Sequence, residues 1–517
     1  MTGLLPRWSA RPRWLTMHRA VLGALIVLTV IALLVAAFDD EFAYRPGALL
    51  LSLVLSLVTS AVVSWVCSAV VRVPPGADSW AITALILFFL MPGVTDAASG
   101  WSMVIAAGTA ALSKYVLAWR RRLVLNPAVV GALVTYALAY AGVEVAGAVV
   151  SSPVWWIAAE PLFWPMLIIG VLLVSVLREW WTVGIFVIAT LATVGVLQLT
   201  EGGQDLQFVF VSAPTMFLAA IMLPEPLTSP STRVHRAIYA IIVAVLANWQ
   251  QVFEITDSYT LEFVPQIALG VGCVYAFVVR LITQRGAGRV TFDVEIDEIA
   301  AGTHRIRARS AQPVAFRPGQ WATLSAPQWS APLWHRTRRV FSFAAAPGEN
   351  PTEFAFTVGG SEVSAFKRDL IHRGGRLLLD DIGGDFVAPR HPGAHPVVLL
   401  AGGIGITPFR AMVRQFTGDA GQRDLAWLTV IHVIREQERS VFDDDLDAVR
   451  AAGGRVEVVV ADDGALPADL PFTRDGAHYY ISGSPEFVHA TSARARSADP
   501  AVRLRFWRLH TDSFLGY

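Results

Sequence analysis

The sequence of 517 residues predicts a multi-domain chain: a polytopic α-helical membrane domain of about ten helices built on an inverted repeat, then an antiparallel β-barrel, then an α/β domain. Three observations predict it. Hydrophobic residues make up 54% of the chain and charged residues 16%, and the apolar excess sits in residues 1–285. Arginines fill every second connection between the apolar runs there. From about Gly288 the pattern changes to short alternating strands with Pro/Gly turns, and from about His395 to strand, glycine turn and helix. The domains are accordingly drawn at 1–285, 288–390 and 394–517. The net charge of zero averages two unlike halves and gives no sign of a nucleic-acid partner.

Ten apolar runs lie near 19–38, 48–71, 79–92, 102–118, 126–149, 162–177, 180–199, 208–224, 235–251 and 264–283. A span needs about 20 apolar residues, so the short runs must be tilted, broken or protein-buried. Arg7, Arg11, Arg13 and Arg19 precede the first run. Arg72, Arg120 to Arg122, Arg178, Arg233 with Arg236, and Arg280 with Arg285 occupy alternate connections. The opposite connections hold Arg45 and the acids Asp39, Asp40, Glu41, Glu201, Asp205, Glu254 and Asp257. The positive-inside rule then places the N-terminus and the region after residue 285 in the cytoplasm. Lys114 and Lys367 are the only lysines, a bias toward arginine that suggests a G+C-rich bacterial coding sequence. The expected location is the bacterial inner membrane, with several passes through the lipid bilayer.

"AITALILFFLMP" (Ala81 to Pro92) and "APTMFLAAIMLP" (Ala213 to Pro224) align without a gap at an offset of 132 residues, so Thr83 meets Thr215. Five spans per copy give the copies opposite topology, an arrangement that binds ligands at interrupted helices in transport proteins. Thr83 is expected near the cytoplasmic face and Thr215 near the exterior. A packing hydroxyl is the alternative for both. Few ionisable residues are expected deep in the spans, which argues against an ion path.

Two isolated cysteines, Cys67 and Cys273, exclude an iron–sulfur cluster. His18 and His235 are the only histidines in the first 285 residues and sit at span ends, so a pair of haem ligands inside the helices is excluded too.

In the last third, "PVVLLAGGIGITPFRAMVRQF" reads as buried strand, glycine turn and helix, and "YYISGSPEFV" as a second strand and glycine turn. Such a turn lets backbone approach a phosphate at a helix N-terminus. The barrel and α/β pair resembles the ferredoxin–NADP reductase family through a series of motifs in order. "RVFS" carries Arg339, Phe341 and Ser342; "GSEVSAF" carries Ser364; the first turn carries Gly402, Gly403, Gly405, Thr407 and Pro408. "SGSP" carries Ser482, Gly483 and Pro485, with Ser482 in place of the family's cysteine, and the chain stops at Tyr517. The resemblance implies that Phe341 stacks on the isoalloxazine of FAD while Arg339, Ser342 and Ser364 hold its phosphate and ribityl parts. It implies NAD(P)H at the glycine turns, Ser482 beside the nicotinamide, and Tyr517 as the aromatic that covers the flavin.

The membrane half resembles the D subunit of Rnf electron-transport complexes and the B subunit of sodium-translocating NADH:quinone reductase. The carriers are "SKYVLAWRRRLVLNPAVVGAL" and "PLFWPMLIIG". In that family the threonine of Ser-Gly-Ala-Thr carries FMN; here the stretch is Ser212-Ala213-Pro214-Thr215, which leaves covalent and free flavin both open. The expected activity is an NAD(P)H-dependent flavin oxidoreductase. It would pass electrons through FAD to FMN at Thr215, by way of a second flavin near Thr83, and on to a quinone or an extracytoplasmic flavin or redox protein. A redox-linked ion transporter and a non-catalytic subunit of a larger complex are the alternatives.

Overall fold

The computed structural model describes residues 17–71, 77–119, 122–201, 205–249, 252–256, 259–262, 264–283, 290–326, 338–358, 365–419, 424–435, 440–461, 466–467 and 473–514. Ser364 and Tyr517 lie outside the described residues, as do Arg7, Arg11, Arg13, Arg72, Arg120, Arg121, Asp257 and Arg285 of the charge pattern. The chain divides into two compact units, one spanning Trp14–Thr283 and the other containing Gln284–Tyr517.

The first unit holds α1 (Met17–Phe38), α2 (Pro46–Val71), α3 (Ala77–Leu90), α4 (Ala97–Val116), α5 (Pro127–Tyr140), α6 (Phe163–Leu177) and α7 (Trp180–Glu201). An interrupted segment containing the short α8 (Thr215–Phe217) follows, then α9 (Arg233–Asn248) and α10 (Pro265–Thr283). Three two-stranded hairpins join helices: β1 (Ala118–Trp119) with β2 (Arg122–Leu123), β3 (Glu144–Val145) with β4 (Ala148–Val149), and β5 (Val252–Thr256) with β6 (Tyr259–Glu262). Among the described residues five helices are long and apolar enough to cross a membrane: Met17–Phe38, Pro46–Val71, Glu160–Leu177, Trp180–Thr200 and Pro265–Ile282.

The burial pattern of helix α2 suits a helix with an apolar surround. Ser52, Ser56, Ser60, Ser64 and Ser68 recur every four residues and are buried, while Val54, Val58, Val62 and Trp65 point outward. A soluble helix does the reverse. With hydrocarbon outside, small and polar side chains pack the interface and apolar ones face the solvent. The serines also bond across helices: Ser56 Oγ donates to the Ala84 carbonyl at 3.1 Å, and Ser52 Oγ accepts from the Val94 amide at 2.8 Å. Small residues permit similar closeness elsewhere. A Cβ on Gly131 of α5 would sit 2.4 Å from the Ala106 carbonyl of α4.

Packing follows a similar order in the two stretches that the sequence aligns. Helix α2 packs on α4 and α4 on α5, and α7 packs on α9 and α9 on α10. The two copies differ where the sequence aligns best. Helix α3 runs unbroken through Thr83, whereas its partner is interrupted. One π turn covers Phe208–Ser212, Ala213 is extended, and a second π turn covers Leu218–Met222. Pro214 supplies the reason, since it brings no N–H to a helix and its counterpart in α3 is Ile82.

The second unit begins with β7 (Val290–Ala300), β8 (Thr303–Arg309), β9 (Trp321–Ser325), β10 (Arg338–Ser342), β11 (Thr352–Thr357), α11 (Ala365–Arg373) and β12 (Gly375–Gly383). Its strands form a six-stranded antiparallel sheet in the order β10-β9-β12-β7-β8-β11. The two edge strands approach through a bridge between Phe343 and Phe354, and Phe292, Phe341, Phe343, Phe354 and Phe366 fill the core.

Then come β13 (Val397–Gly402), α12 (Thr407–Asp419), β14 (Leu428–Ile434), α13 (Asp443–Ala451), β15 (Arg455–Val460), β16 (His478–Gly483), α14 (Pro485–Ala498) and β17 (Leu509–Ser513). The five strands are parallel, in the order β15-β14-β13-β16-β17. All seven residues of β14 are buried, as a parallel strand covered on both faces requires.

Candidate nucleotide and flavin site

Strand order reverses between β13 and β16: one half of the sheet grows outward from β13, the other from β16. In an open α/β sheet this switch point opens a crevice at the carboxyl ends of the strands. Both predicted glycine turns lie there. A Cβ on Gly405 would sit 2.3 Å from the Ser482 carbonyl oxygen and 2.8 Å from the Gly483 Cα. One on Gly402 would strike the Phe487 ring at 2.7 Å, and Gly403 has a φ of +53°. The turns are therefore packed backbone to backbone, which only glycine allows.

Local bonds fix the helices that start here. Thr407 Oγ1 donates to the Ile404 carbonyl at 2.7 Å, and Pro408 follows at a position where a helix needs no N–H partner. Ser484 caps α14 by accepting from the Phe487 amide at 3.2 Å, with Pro485 as the first helical residue. His432, buried on β14, bonds through Nε2 to the Gly403 carbonyl at 2.9 Å and braces the first turn.

Ser482 is fully buried and its hydroxyl has no hydrogen-bond partner among the described residues. Across the sheet it pairs with Asp512 of β17, a residue the sequence reading passed over. Burial, aided by the charge of Asp385, pushes the Asp512 carboxyl up to about 7. The folded state thus holds a proton that the unfolded chain releases near pH 4. Its stabilising contribution is complete below that pH and is lost as pH rises through 7. Asp512→Asn is expected to flatten the fall in the thermal midpoint between pH 4 and 7; an unchanged slope would assign the fall to another group. Phe514 was also missed. Its amide donates to the Gly483 carbonyl at 2.8 Å, so an aromatic residue sits beside the second glycine turn.

On the antiparallel sheet, Arg339 and Phe341 share one face of β10, with Val340 exposed on the other. Phe341 is 4% exposed and packs among Phe354, Phe356 and Phe366, so its ring belongs to the core rather than to an open stacking surface. Ser342 is buried. The Arg339 guanidinium lies over the Phe366 ring at 6.0 Å, and the Lys367 ammonium over Phe356 at 5.6 Å. Burial, then the charge of Arg339, lowers the Lys367 ammonium below the ordinary lysine value. Two cations converging at the start of α11 suit an anion.

Arg410 ties the two sheets together. It lies one turn past Thr407 on α12, and its Nη1 donates to the carbonyl of Ala344, two residues past Ser342. It also pairs with Glu353 of β11 and with Asp445. The structure thus brings Gly402, Gly403, Gly405, Thr407 and Pro408 together with Ser482, Gly483 and Pro485, and links them through Arg410 to the strand of Arg339 and Ser342.

Thr83 and Thr215 lie in the helical unit, both buried. Thr83 Oγ1 donates to the Ser79 carbonyl at 3.0 Å and Thr215 Oγ1 to the Val209 carbonyl at 2.6 Å, bonds that packing threonines make. The ionisable groups packed in this unit sit at helix ends and connections: Lys114 near the end of α4, Glu179 between α6 and α7, Glu225 after the interrupted segment and Arg236 in the first turn of α9. Their hydrogen bonds run between segments far apart in sequence, which residue spacing does not disclose.

No family model matches the chain. It is 29% identical over 205 residues to a flavohemoprotein of Deinococcus radiodurans, which covers 39% of this chain and 46% of that protein. It is 27% identical over 214 residues to the ferredoxin–NAD(P)+ reductase component of naphthalene 1,2-dioxygenase/salicylate 5-hydroxylase systems of a Ralstonia species, covering 38% and 60%. An NAD(P)H-flavin reductase of Aliivibrio fischeri is 27% identical over 125 residues, covering 23% and 50%. The chain spans less than two thirds of each of these proteins. Among solved structures, the flavohem-like FAD/NAD binding domain of nitric oxide dioxygenase from Vibrio cholerae matches with a TM-score of 0.37 and 19% identity, over 44% of this chain and 98% of that one. The relatives support a ferredoxin–NADP reductase-type FAD/NAD-binding domain in this chain.

Proposed function

We propose that the chain is a membrane flavin oxidoreductase that takes electrons from cytosolic NAD(P)H through FAD to flavin in the helical unit, and on to a quinone or an extracytoplasmic flavin or redox protein. The observation that carries this reading is the pair of glycine turns meeting at the switch point of the parallel sheet, in a chain that also contains apolar helices. The names of the relatives, which include an NAD(P)H-flavin reductase, support flavin and nicotinamide nucleotide here.

In this reading the turns at Gly402–Gly405 and Ser482–Pro485 seat NAD(P)H. The antiparallel sheet, closed as a barrel, holds FAD through Arg339, Ser342 and the loop with Ser364. Bound FAD supplies the step from hydride to single electrons. Ser482 and Asp512 border the nicotinamide, and Phe514 joins Tyr517 as a candidate cover for the flavin. Ten spans are assigned to the helical unit, in a bacterial inner membrane with the N-terminus and the nucleotide unit cytoplasmic. FMN is assigned to Thr215 and a second flavin to the neighbourhood of Thr83; haem and iron–sulfur clusters have no place in the scheme. The buried charges Lys114 and Glu225 favour a second reading, in which electron flow drives ion movement.

Flavin content tests the first reading. Full-length protein should carry one FAD and additional flavin, and acid precipitation separates free from covalent forms. Arg339→Ala should weaken FAD binding about 10- to 150-fold, the value of a charge-assisted hydrogen bond of about 1.5–3 kcal/mol. Protein that stays colourless after FAD is added would remove the flavin assignment.

A further inference from the structure

The interrupted segment of the helical unit lacks one backbone donor, and a threonine side chain stands in for it. In the π turn over Phe208–Ser212 a carbonyl accepts from the amide five residues on. The Ala213 amide accordingly donates to the Phe208 carbonyl at 2.9 Å. The next donor in that register is residue 214, a proline with no N–H to give. Thr215 Oγ1 reaches the Val209 carbonyl instead, at 2.6 Å and across the break. Val209 is 1% exposed and Thr215 7%, so little solvent is at hand to replace that bond.

The aligned stretch of α3 shows the contrast. There the helix runs on through Ile82, and Thr83 Oγ1 bonds the Ser79 carbonyl four residues back, a bond made in addition to the helix's own ladder. Thr215 completes a ladder that would otherwise be short of a donor. In an apolar surround the backbone groups freed at a break must find partners, and threonine hydroxyls serve. The far side of the break is fixed as well. The Leu218 amide donates to the Pro214 carbonyl at 2.9 Å, and the buried Phe217 packs against Trp155 and against Phe89 of α3.

This bond bears on how a flavin is held. A phosphoester at Thr215 forms an O–P bond on Oγ1 and expels the proton that Oγ1 now donates. The Val209 carbonyl then loses its donor in a buried place, and two oxygens are left with no hydrogen between them. The pattern Ser-Gly-Ala-Thr has alanine where this chain has Pro214, and an alanine amide can serve the carbonyl while the threonine oxygen stays free. We infer that Thr215 is the structural donor replacing the N–H absent from Pro214, and that it is not a phosphoester acceptor: a flavin beside it is held without a covalent bond. The role of the hydroxyl stands on the hydrogen bonds alone; the manner of flavin binding rests on the reading given above.

Two measurements on the full-length protein test this. The first is peptide mass after co-production with an FMN transferase that modifies a Ser-Gly-Ala-Thr control protein in the same cells. The peptide containing Thr215 should keep its unmodified mass, and flavin of the helical unit should leave on acid precipitation. A peptide heavier by one FMN less one water, with the added mass on Thr215, overturns the inference. The second is a set of thermal midpoints of the helical unit in detergent. Thr215→Val keeps the shape and removes the donor, so it should lower the midpoint by a few degrees, while Thr215→Ser should stay near wild type. Pro214→Ala returns an N–H to the Val209 carbonyl, so Thr215→Val in that background should cost less than about half as much. Equal losses in both backgrounds, or a loss in Thr215→Ser as large as in Thr215→Val, overturn the role of the hydroxyl. A helical unit that carries no flavin of either kind removes the flavin reading separately and leaves the midpoints to decide what Thr215 does.

Discussion

Gly405→Ala is expected to weaken NAD(P)H binding at least ten-fold while FAD stays bound. The new Cβ would lie 2.3 Å from the Ser482 carbonyl oxygen, 2.6 Å from its carbon and 2.8 Å from the Gly483 Cα. All three are backbone atoms, so no side chain can swing away. Relief requires β13 and β16 to part at their carboxyl ends, where the proposed site lies. Overpacking of this kind costs about 1–3 kcal/mol in stability. Loss of nucleotide affinity adds to it, and ten-fold corresponds to about 1.4 kcal/mol. Gly418→Ala is the control, because a Cβ there meets nothing within 4 Å. Rapid-mixing measurements of FAD reduction against NAD(P)H concentration would report the affinity. Wild-type affinity in Gly405→Ala would mean that the nucleotide binds away from the switch point.

That glycine turn was legible because its signals are local. A buried strand, three glycines and an amphipathic helix fall within "VVLLAGGIGITPFRAMV", and each has one physical reason to be there. Asp512 and Phe514 were not legible. They reach the same edge only because β17 pairs in parallel with β16, a contact fixed by the sheet and not by spacing. The interruption at Ala213–Pro214 was half legible: the proline announced itself, but the π turns on either side depend on packing. Glu225 and Asn126 are 99 residues apart, and nothing in either neighbourhood foretells their bond. Phe341 marks a different limit. Its motif matched a family pattern, yet an aromatic on a strand serves a core as readily as a ligand, and here the ring is packed in the core.

Arg410→Ala is expected to lower the stability of the nucleotide-binding unit by about 3–5 kcal/mol, chiefly the cost of leaving the buried Glu353 carboxylate without its partner, since Asp445 keeps a longer contact to Arg414. Arg410 is 7% exposed, Glu353 12% and Asp445 21%, so solvent replaces little of what the arginine provides. Its guanidinium also lies 4.3 Å from the centre of the Phe442 ring and donates to the Ala344 carbonyl. Arg414 adds an ion pair to Glu349, in the connection that leads into β11 and Glu353. The effect should be largely insensitive to salt, in contrast to exposed pairs such as Arg376 with Asp293. If the penalty comes from stranded charge, Arg410→Met combined with Glu353→Gln and Asp445→Asn should recover much of it, since the triple variant buries no unpaired ion. Chemical denaturation followed by flavin release measures both. Because the network joins the strand after Ser342 to the helix after Thr407, Arg410→Ala should also slow hydride delivery to FAD in protein that remains folded. A variant that unfolds at the wild-type denaturant concentration and reduces FAD at the wild-type rate would show that the two sheets are held in register by their apolar contacts alone.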